Sequence, residues 1–260
     1  MRIQNINPYN YQTCRQSFRS CARQYISDRS DYWANDVLTT TCLFRSDINW
    51  QTLMDIVQRN FANKQQVNTY SLASSDGSEA YTFAMMVLDR IPKEQQSKYF
   101  PIIASDIDDE VIRVANSGLI NLTFQDLVTA EEILSKPKNY FEYVGDAMPI
   151  ENNKAFQQKY FDDYCTYRPI PELAETIKFE KSDMLDKLKN LDDKGNSIIF
   201  CRNVMMYLKP DYLSELIQTI YKKLKSGSLL VIGRFDTHTG IQGALSDGFE
   251  TCAQHIYRRI

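Results

Sequence analysis

The stretch NTYSLASSDGSEAYTFAMMVL, residues 68–88, decides the fold of this chain. Its first six residues predict a buried strand, and residues 74–78 are small and polar, which is typical of a turn. The helix predicted next is marked by apolar residues that recur every three or four positions: Ala80, Phe83, Ala84, Val87 and Leu88. Pro92 ends this helix. A strand, a short turn and a helix that covers the strand form the first half of a parallel β-α-β unit.

The same alternation repeats on both sides of a less regular middle. Residues 101–105 predict a second strand that ends at Asp106, and a helix follows it. After the middle, the pattern predicts a strand, a helix and a strand at 197–201, 213–224 and 228–233. Most of the strands are apolar without period-two alternation, which indicates burial on both faces. The predicted fold class is therefore α/β, with a doubly wound and mostly parallel sheet.

The chain is predicted to divide into two parts of unequal size. Residues 1–34 predict a short basic helical segment, and residues 35–260 predict the α/β domain. Three arginines would share one face of that first helix: Arg15, Arg19 and Arg23. Such a face suits either solvent or an acidic partner. Within the domain, residues 119–178 are less regular and rich in Tyr, Phe, Pro and Asn, and they predict an irregular or inserted subregion, with the insertion at about 140–178.

Composition excludes several classes of protein. The 260 residues are 43% hydrophobic and 24% charged, which suffices for a folded core. The net charge of -3 argues against a nucleic-acid-binding protein. No apolar run approaches the ~20 residues of a membrane span, and the first residues lack the apolar core of a signal peptide. We therefore expect a cytoplasmic protein that does not insert into membranes and acts as a monomer.

Metal chemistry and histidine-based catalysis are disfavoured by the same composition. The six cysteines form no Cys-x-x-Cys pair, and the sequence contains two histidines, His238 and His255. These are too few for a histidine-based metal site or for a nucleophile that needs an imidazole base. The sequence therefore predicts no metal site.

The predicted ligand site lies beyond the carboxyl ends of the strands, where the strand order of an open α/β sheet reverses. Three segments fall there: residues 74–79, Asp106 and the pair Arg202-Asn203. The carboxylate of Asp106 has only acceptor oxygens to offer, which suits both hydroxyls of a ribose. A strand-end aspartate can equally cap the next helix, so the pattern alone leaves both roles open.

The turn after the first strand narrows the choice of ligand. It contains one glycine, Gly77, so the G-x-G-x-x-G signature of dinucleotide sites is absent, and the chain has no Walker A sequence. A nucleoside without a phosphate group remains. S-adenosylmethionine fits this description, because its sulfonium is positive and its ribose needs hydrogen-bond acceptors.

Four stretches, in order and at matching spacing, carry a resemblance to a known family. They are residues 39–45 (TTTCLFR), 73–81 (ASSDGSEAY), 104–108 (ASDID) and 199–207 (IFCRNVMMY). Together they resemble the CheR-type protein-glutamate O-methyltransferases, and the last stretch is close to that family's FCRNV-x-x-Y-F. The resemblance implies transfer of the methyl group of S-adenosylmethionine to glutamate side chains of a protein, with S-adenosylhomocysteine as the product. In that family the acceptors lie on cytoplasmic helices of chemotaxis receptors.

The resemblance also implies roles for individual residues. Arg45 and Tyr207 are the implied catalytic residues and would steer the acceptor carboxylate. The implied cofactor-binding residues are Thr39, Thr41, Arg45, Ser74, Gly77, Glu79, Asp106, Asp183, Met184, Arg202 and Asn203. Among these, Asp106 would bind the ribose and the pair Asp183-Met184 would flank the adenine. No general base is required, because a glutamate with a pKa near ~4.3 is already ionised at neutral pH.

The chain departs from the family pattern in the turn after the first strand, in the front motif, in a motif near the end of the chain and in the length of the segment before the domain. Residues 76–80 read Asp-Gly-Ser-Glu-Ala instead of Thr-Gly-Glu-Glu-Pro, and Thr39 replaces an asparagine. Residues 233–236 read Gly-Arg-Phe-Asp instead of Gly-His-Ser-Glu, and the segment before the domain is short. Two alternatives to glutamate methylation therefore stay open. One is a weakly active or inactive cofactor-binding regulatory protein, and the other is a methyltransferase for a different acceptor.

Overall fold

A computed structural model describes residues 23–24, 37–38, 41–136, 138–146, 164–191, 195–239, 241, 245–246 and 248–260. In the predicted segment 1–34, residues 23 and 24 form a two-residue strand paired antiparallel with residues 37 and 38, so these two residues are extended and not helical. The rest of that segment, including Arg15 and Arg19, lies outside the described residues, as does Thr39. The division of the chain at residue 35 stays a prediction.

Strands and helices alternate along most of the described chain. The strands are β1 (Arg23–Gln24), β2 (Val37–Leu38), β3 (Val67–Leu72), β4 (Ile102–Asp106), β5 (Ile120–Thr123), β6 (Phe141–Asp146), β7 (Tyr164–Pro169), β8 (Ile177–Lys181), β9 (Asn196–Cys201), β10 (Leu229–Ile232), β11 (Phe249–Ala253) and β12 (Ile256–Arg259). The α-helices are α1 (Trp50–Asn60), α2 (Ser78–Arg90), α3 (Lys93–Gln96), α4 (Asp109–Asn116), α5 (Phe124–Ile133), α6 (Pro171–Ala174), α7 (Met184–Lys189) and α8 (Pro210–Lys223). Three 3-10 turns are described, at Ser97–Tyr99, Met205–Tyr207 and Phe235–Thr239. None of the described helices combines the length and hydropathy that crossing a membrane requires.

The main sheet of the described residues has seven strands in the order β11-β12-β10-β9-β3-β4-β8. The five strands from β10 to β8 are parallel, whereas β12 is antiparallel to both β10 and β11. From β3 the chain moves outward through β4 to β8, and it then returns to the other side of β3 to form β9 and β10. The strand order therefore reverses between β3 and β9, and the prediction of a doubly wound, mostly parallel sheet is confirmed.

Two hydrophobic cores cover the two faces of this sheet. In β9, Ile198 and Phe200 belong to the core that contains α1 and α2, whereas Ile199 and Cys201 belong to the core that contains α7 and α8. Successive side chains of a strand point to opposite faces, so every residue of β9 is buried. Burial on both faces explains the apolar runs without alternation that the sequence contains.

A second sheet, of three described strands, overlaps the predicted irregular insertion. Its order is β5-β7-β6, and both strand pairs are antiparallel. Residues 141–146 and 164–169 are therefore regular, and the sheet already begins with Ile120, before residue 140. The pairing of β6 is irregular between Tyr143 and Gly145, and residues 142–144 are all exposed. A bulge of this kind removes the period-two signal by which a strand is predicted from sequence.

Candidate active site

The carboxyl ends of β3, β4, β9 and β10 lie side by side where the strand order reverses. Neighbouring parallel strands end at the same edge of a sheet, which is where open α/β sheets bind ligands. Polar segments follow these strands, at residues 73–79, 107–108, 202–207 and 233–236. The segments that the sequence singled out thus meet at one edge, which we call the site edge.

The turn after β3 has left-handed backbone at three residues. Ala73, Ser75 and Gly77 have φ angles of 55°, 51° and 89°. Gly77 is also crowded, because a Cβ at this position would lie 2.6 Å from the ring of Phe179. Both the φ angle and the close approach require glycine here, immediately before α2 begins.

Two partly buried carboxylates at the site edge, Asp76 and Asp106, form no ion pair with a described residue. Asp76 accepts hydrogen bonds from the N–H and the hydroxyl of Ser78 at 2.9 and 2.7 Å. Asp106 accepts the backbone N–H groups of Ser75 and Asp108 at 2.9 and 3.0 Å. Loss of water raises the pKa of Asp76 to about 6 and raises the pKa of Asp106 above its ordinary value. A ligand that brings positive charge or hydrogen-bond donors would stabilise both anions.

Arg202, the first residue after β9, is buried and joins separate segments of the chain. Its Nη1 donates to Oε2 of Glu79 at 3.0 Å, and its Nη2 forms an ion pair with Oδ1 of Asp47. The same Nη2 lies 3.4 Å from the carbonyl oxygen of Arg45. The other carboxylate oxygen of Glu79 accepts the hydroxyl of Ser71 at 2.7 Å. Loss of water raises the pKa of Glu79 even though Arg202 lies beside it.

Asn203 follows Arg202 in a left-handed conformation, with φ at 57°. Its side-chain amide donates to Oδ2 of Asp47 at 2.8 Å. Asn203 also packs directly on Gly233, where a Cβ would collide with its side-chain oxygen. The segments after β9 and β10 therefore interlock, and Gly233 is needed for that contact.

Asp236 is completely buried and binds the segments after β9 and β10 through backbone N–H groups. It accepts the N–H of Gly233 at 2.8 Å and that of Met205 at 2.9 Å, together with the N–H of Asn203. Burial raises the pKa of Asp236 to about 6, although these hydrogen bonds oppose the shift. Its contacts hold the 3-10 turn Met205–Tyr207, on which the predicted catalytic Tyr207 lies.

The front segment, residues 41–49, brings Arg45 to the site edge. Two of its backbone N–H groups, those of Leu43 and Phe44, donate to the side chains of Asp126 and Thr82 at 2.8 and 3.0 Å. The indole N–H of Trp50 donates to the carbonyl oxygen of Arg45 at 3.2 Å. Thr41 and Arg45 are both partly exposed, so their side chains remain accessible from solvent.

Asp183 and Met184 follow β8, the strand beside β4, and lie at the same site edge. Asp183 caps α7 by accepting the N–H of Leu185 at 2.8 Å, and the hydroxyl of Tyr212 donates to both of its carboxylate oxygens at 2.8 Å. Met184 is buried in the core that contains α8. The place of this pair beside an adenine stays a prediction.

Sequence reasoning missed two acidic residues that organise the site edge, Asp47 and Asp236. Asp236 is the last residue of the stretch 233–236. The family pattern also has an acidic residue at that position, and this agreement could have identified Asp236 as a site residue. Asp47 stands two residues after Arg45, but its side-chain partners lie 155 and 156 residues away. Local spacing carries no signal for contacts of that range.

Buried polar atoms without a described partner show what a ligand could bond to at the site edge. They are the hydroxyl oxygens of Ser74 and Ser105, Nε of Arg202 and Oδ1 of Asn203. The set includes a charged donor, an acceptor and two hydroxyls that can do both. A nucleoside that carries an amino acid offers hydroxyl, ammonium and carboxylate groups, so these residues fit S-adenosylmethionine. Within the described ranges, no three His, Cys, Asp or Glu side chains converge as metal ligands would.

Comparisons with known proteins extend over most of the chain. A family model described as "CheR methyltransferase, SAM binding domain" matches residues 39–249. The chain is 26% identical to a chemotaxis protein methyltransferase of Vibrio parahaemolyticus and 27% identical to chemotaxis protein methyltransferase 1 of Vibrio cholerae. Each match spans 225 residues, or 84% of this chain and 70% of the relative. Among solved structures, precorrin-6y C5,15-methyltransferase of Geobacter metallireducens matches with a TM-score of 0.39 and 11% identity, over 80% of this chain and 77% of that one.

Proposed function

The chain belongs to the CheR methyltransferase family, and from this premise we propose that it transfers the methyl group of S-adenosylmethionine to glutamate side chains of a protein. One observation carries the proposal. Glu79, Asp106 and the pair Arg202-Asn203 meet at a single sheet edge in a chain whose residues 39–249 match that family.

Each predicted site residue has a place in the proposed cofactor complex. Asp106 accepts the ribose hydroxyls, because its carboxylate keeps a lone pair beyond the backbone N–H groups of Ser75, Ile107 and Asp108 that it already binds. Glu79 places negative charge near the positive sulfur, and Arg202-Asn203 bind the amino-acid end. The other proposed contacts to the cofactor come from Thr39, Thr41, Arg45, Ser74, Gly77, Asp183 and Met184.

The proposed reaction needs little acid-base chemistry from the chain. Bound S-adenosylmethionine supplies a methyl group on a positively charged sulfur, and the acceptor glutamate, with a pKa near ~4.3, is an anion at neutral pH. The chain's own residues hold one carboxylate oxygen in line behind the methyl group and exclude water, since an anion and a cation react to give two neutral products. Arg45 and Tyr207 orient the carboxylate through the oxygen that does not attack, so that the attacking oxygen keeps its nucleophilicity.

The names of the relatives support a proposal for the acceptor. Both Vibrio relatives are chemotaxis protein methyltransferases. We therefore propose that the acceptor glutamates lie on a cytoplasmic helix of a chemoreceptor, and that the chain acts on it in the cytoplasm as a monomer. No metal ion takes part in the proposed reaction.

Two measurements test the proposal in sequence. Isothermal titration calorimetry with S-adenosylmethionine and S-adenosylhomocysteine should give binding with both, and absence of heat from both would contradict it. Receptor fragments are then incubated with methyl-labelled cofactor, and we expect a methyl ester that base releases as methanol. A fragment whose acceptor glutamates are replaced by alanine is the control.

The remaining outcomes separate the alternatives. Cofactor binding without an ester on any cellular protein would favour the regulatory protein. A methyl group that resists base would favour an acceptor other than a carboxylate. Either result would leave the family and the fold unchanged and would overturn the proposed glutamate chemistry.

A further inference from the structure

Asp47 connects the front segment to two of the strand-end segments, and the family resemblance gives it no role. Its Oδ1 forms an ion pair with Arg202. Its Oδ2 accepts the side-chain N–H of Asn203 at 2.8 Å and lies 3.4 Å from the backbone N–H of Arg234. One carboxylate therefore contacts the segments after both β9 and β10.

Asp47 is an anion in this environment. Its side chain is 9% exposed and that of Arg202 is 2% exposed, so the pair is largely withdrawn from water. Loss of water alone would raise the pKa of Asp47, but the charge of Arg202, the hydrogen bond from Asn203 and the charge of Arg45 together hold it below its ordinary value. Removing one partner of such a pair leaves the other charge uncompensated.

The same guanidinium also holds the backbone of Arg45. Nη2 of Arg202 pairs with Asp47 and lies 3.4 Å from the carbonyl oxygen of Arg45, which also accepts the indole N–H of Trp50 at 3.2 Å. Arg202 is itself fixed, because its Nη1 binds Glu79 and its Cζ lies 5.1 Å from the centre of the Trp50 ring. The backbone carbonyl of Arg45 and the side chain of Asp47, on the two sides of Ser46, thereby contact one guanidinium group.

We propose that Asp47 is a positioning residue that fixes the Arg45 segment to Arg202. The side chain of Arg45 then starts from a defined backbone position and reaches the acceptor carboxylate in the reactive arrangement. A displacement of about 1 Å in a positioning group can cost on the order of 10²-fold in rate, so a small shift of this segment is enough to matter. This inference rests on the proposed function, in which Arg45 orients the acceptor.

The variant Asp47→Asn tests the proposal, because it keeps the size and one acceptor oxygen but removes the charge. We expect kcat with a receptor fragment to fall on the order of 10²-fold. The dissociation constant of S-adenosylhomocysteine should change much less, because Glu79 still binds Nη1 of Arg202 and the remaining side-chain oxygen at position 47 can still accept the amide N–H of Asn203. The variant Asp47→Glu keeps the charge and should recover part of kcat. The matched control is Asp55→Asn, the same change on the exposed face of α1.

A double-mutant cycle separates positioning from general stability. If Asp47 acts through Arg45, then Asp47→Asn should have little further effect on kcat in an Arg45→Ala background. If Asp47 only stabilises the fold, the two effects should multiply to within roughly a factor of two. The proposal would be overturned if the effects of Asp47→Asn and Arg45→Ala on kcat multiply. It would also be overturned if Asp47→Asn and Asp55→Asn have the same kcat.

Hydrogen exchange of the backbone amides of residues 43–48 supplies a readout that does not need turnover. Asp47→Asn should speed the exchange of these amides, whereas the amides of β3 and β9 should exchange as slowly as in the wild type. If the amides of residues 43–48 exchange at the wild-type rate, the proposal is overturned, whatever the activity of the variant. A wild-type chain that binds the cofactor but methylates no receptor fragment would instead overturn the proposed function, while the exchange data would still decide whether Asp47 anchors the segment.

Discussion

The carboxylates of the site edge fall into two groups that differ in their counterions. Near β3 and β4, Asp76 and Asp106 accept only N–H and O–H groups, and loss of water raises the pKa of each. Near β9, Asp47 is paired with Arg202, and its pKa is lowered in spite of burial. The carboxylates of the first group thus form no ion pair with a described residue, whereas the carboxylate of the second already has a counterion.

This difference separates binding from positioning. An anion without a counterion is stabilised by a ligand that brings positive charge or hydroxyl donors, which is the basis of the cofactor-binding role that we propose for Asp106. An anion that already has a counterion gains little from a ligand but fixes the segments that it joins. Glu79 stands between the two groups, since it accepts both Ser71 and Arg202 and still has a raised pKa.

The largest expected effect comes from removing the cation of the second group. Arg202→Met leaves Asp47 and Glu79 without their counterion in a largely buried position. We expect the free energy of unfolding to fall by ~3–5 kcal/mol, as it does when one partner of a buried ion pair is lost. Urea denaturation measures the loss.

Two further variants make this first test specific. Arg113→Met removes an exposed ion pair with Glu110 and should cost at most ~1 kcal/mol. Adding Glu79→Gln and Asp47→Asn to Arg202→Met should recover much of the lost stability, because no buried charge then remains unpaired. A loss from Arg202→Met no larger than that from Arg113→Met would contradict the division into two groups.

The next largest expected effect is that the free energy of unfolding depends on pH because of Asp76, a carboxylate of the first group. The pKa of Asp76 is about 6 in the folded chain and lower in the unfolded chain, so the folded chain holds this proton more tightly. Stability from Asp76 is therefore present at low pH and is lost as pH rises from about 4 to about 6. The variant Asp76→Asn cannot ionise, and relative to wild type it should gain on the order of 2 kcal/mol between pH 4 and pH 7.5.

Unfolding measured across this pH range checks the prediction for Asp76. Asp236 also has a pKa of about 6, but it titrates in both proteins and cancels from the difference. The exposed Asp55→Asn is the control and should show a flat difference. A difference between wild type and Asp76→Asn that does not change with pH would refute the account of Asp76.

Ligand affinity provides the third test, through the other carboxylate of the first group. Asp106→Ala should weaken binding of S-adenosylhomocysteine by about 10- to 100-fold, because a hydrogen bond to a charged group contributes ~1.5–3 kcal/mol. Calorimetry measures the affinity, and circular dichroism checks that the fold is retained. Asp109→Ala, an exposed change three residues further on, should leave the affinity unaltered. Equal affinities of Asp106→Ala and wild type would remove Asp106 from the ribose site.

The two groups also differ in how far sequence could predict them. Asp106 ends an apolar strand, so the alternation of strands and helices places it at the site edge. The contacts of Asp47 join residues 155 and 156 positions apart, and they depend on which strands become neighbours. Strand order is a property of the folded sheet, and a local pattern in one sequence does not contain it.

The small sheet illustrates a second reason why prediction from sequence fails. The side chains of β6 do not alternate between buried and exposed, because the strand bulges between Tyr143 and Gly145. The described strands β6 and β7 are thus regular where the pattern indicated irregular structure, and the inserted subregion at about 140–178 stays a prediction. Strands β9 and β10 of the main sheet escaped this error because they are buried along their whole length and read as continuous apolar runs, whereas β8, β11 and β12 were not predicted.

The smallest expected effect concerns Tyr207, which lies on the turn that Asp236 holds. Asp236 holds the turn Met205–Tyr207 through the N–H of Met205, so the ring of Tyr207 should keep its place in Tyr207→Phe. Loss of one hydrogen bond to the acceptor carboxylate should slow kcat by about tenfold, which corresponds to ~1.4 kcal/mol, with cofactor affinity retained. Tyr221→Phe, on the exposed face of α8, is the control. If turnover by Tyr207→Phe equals that of wild type, the hydroxyl of Tyr207 does not act on the acceptor, and orientation of the carboxylate must come from Arg45 and its anchor at Asp47.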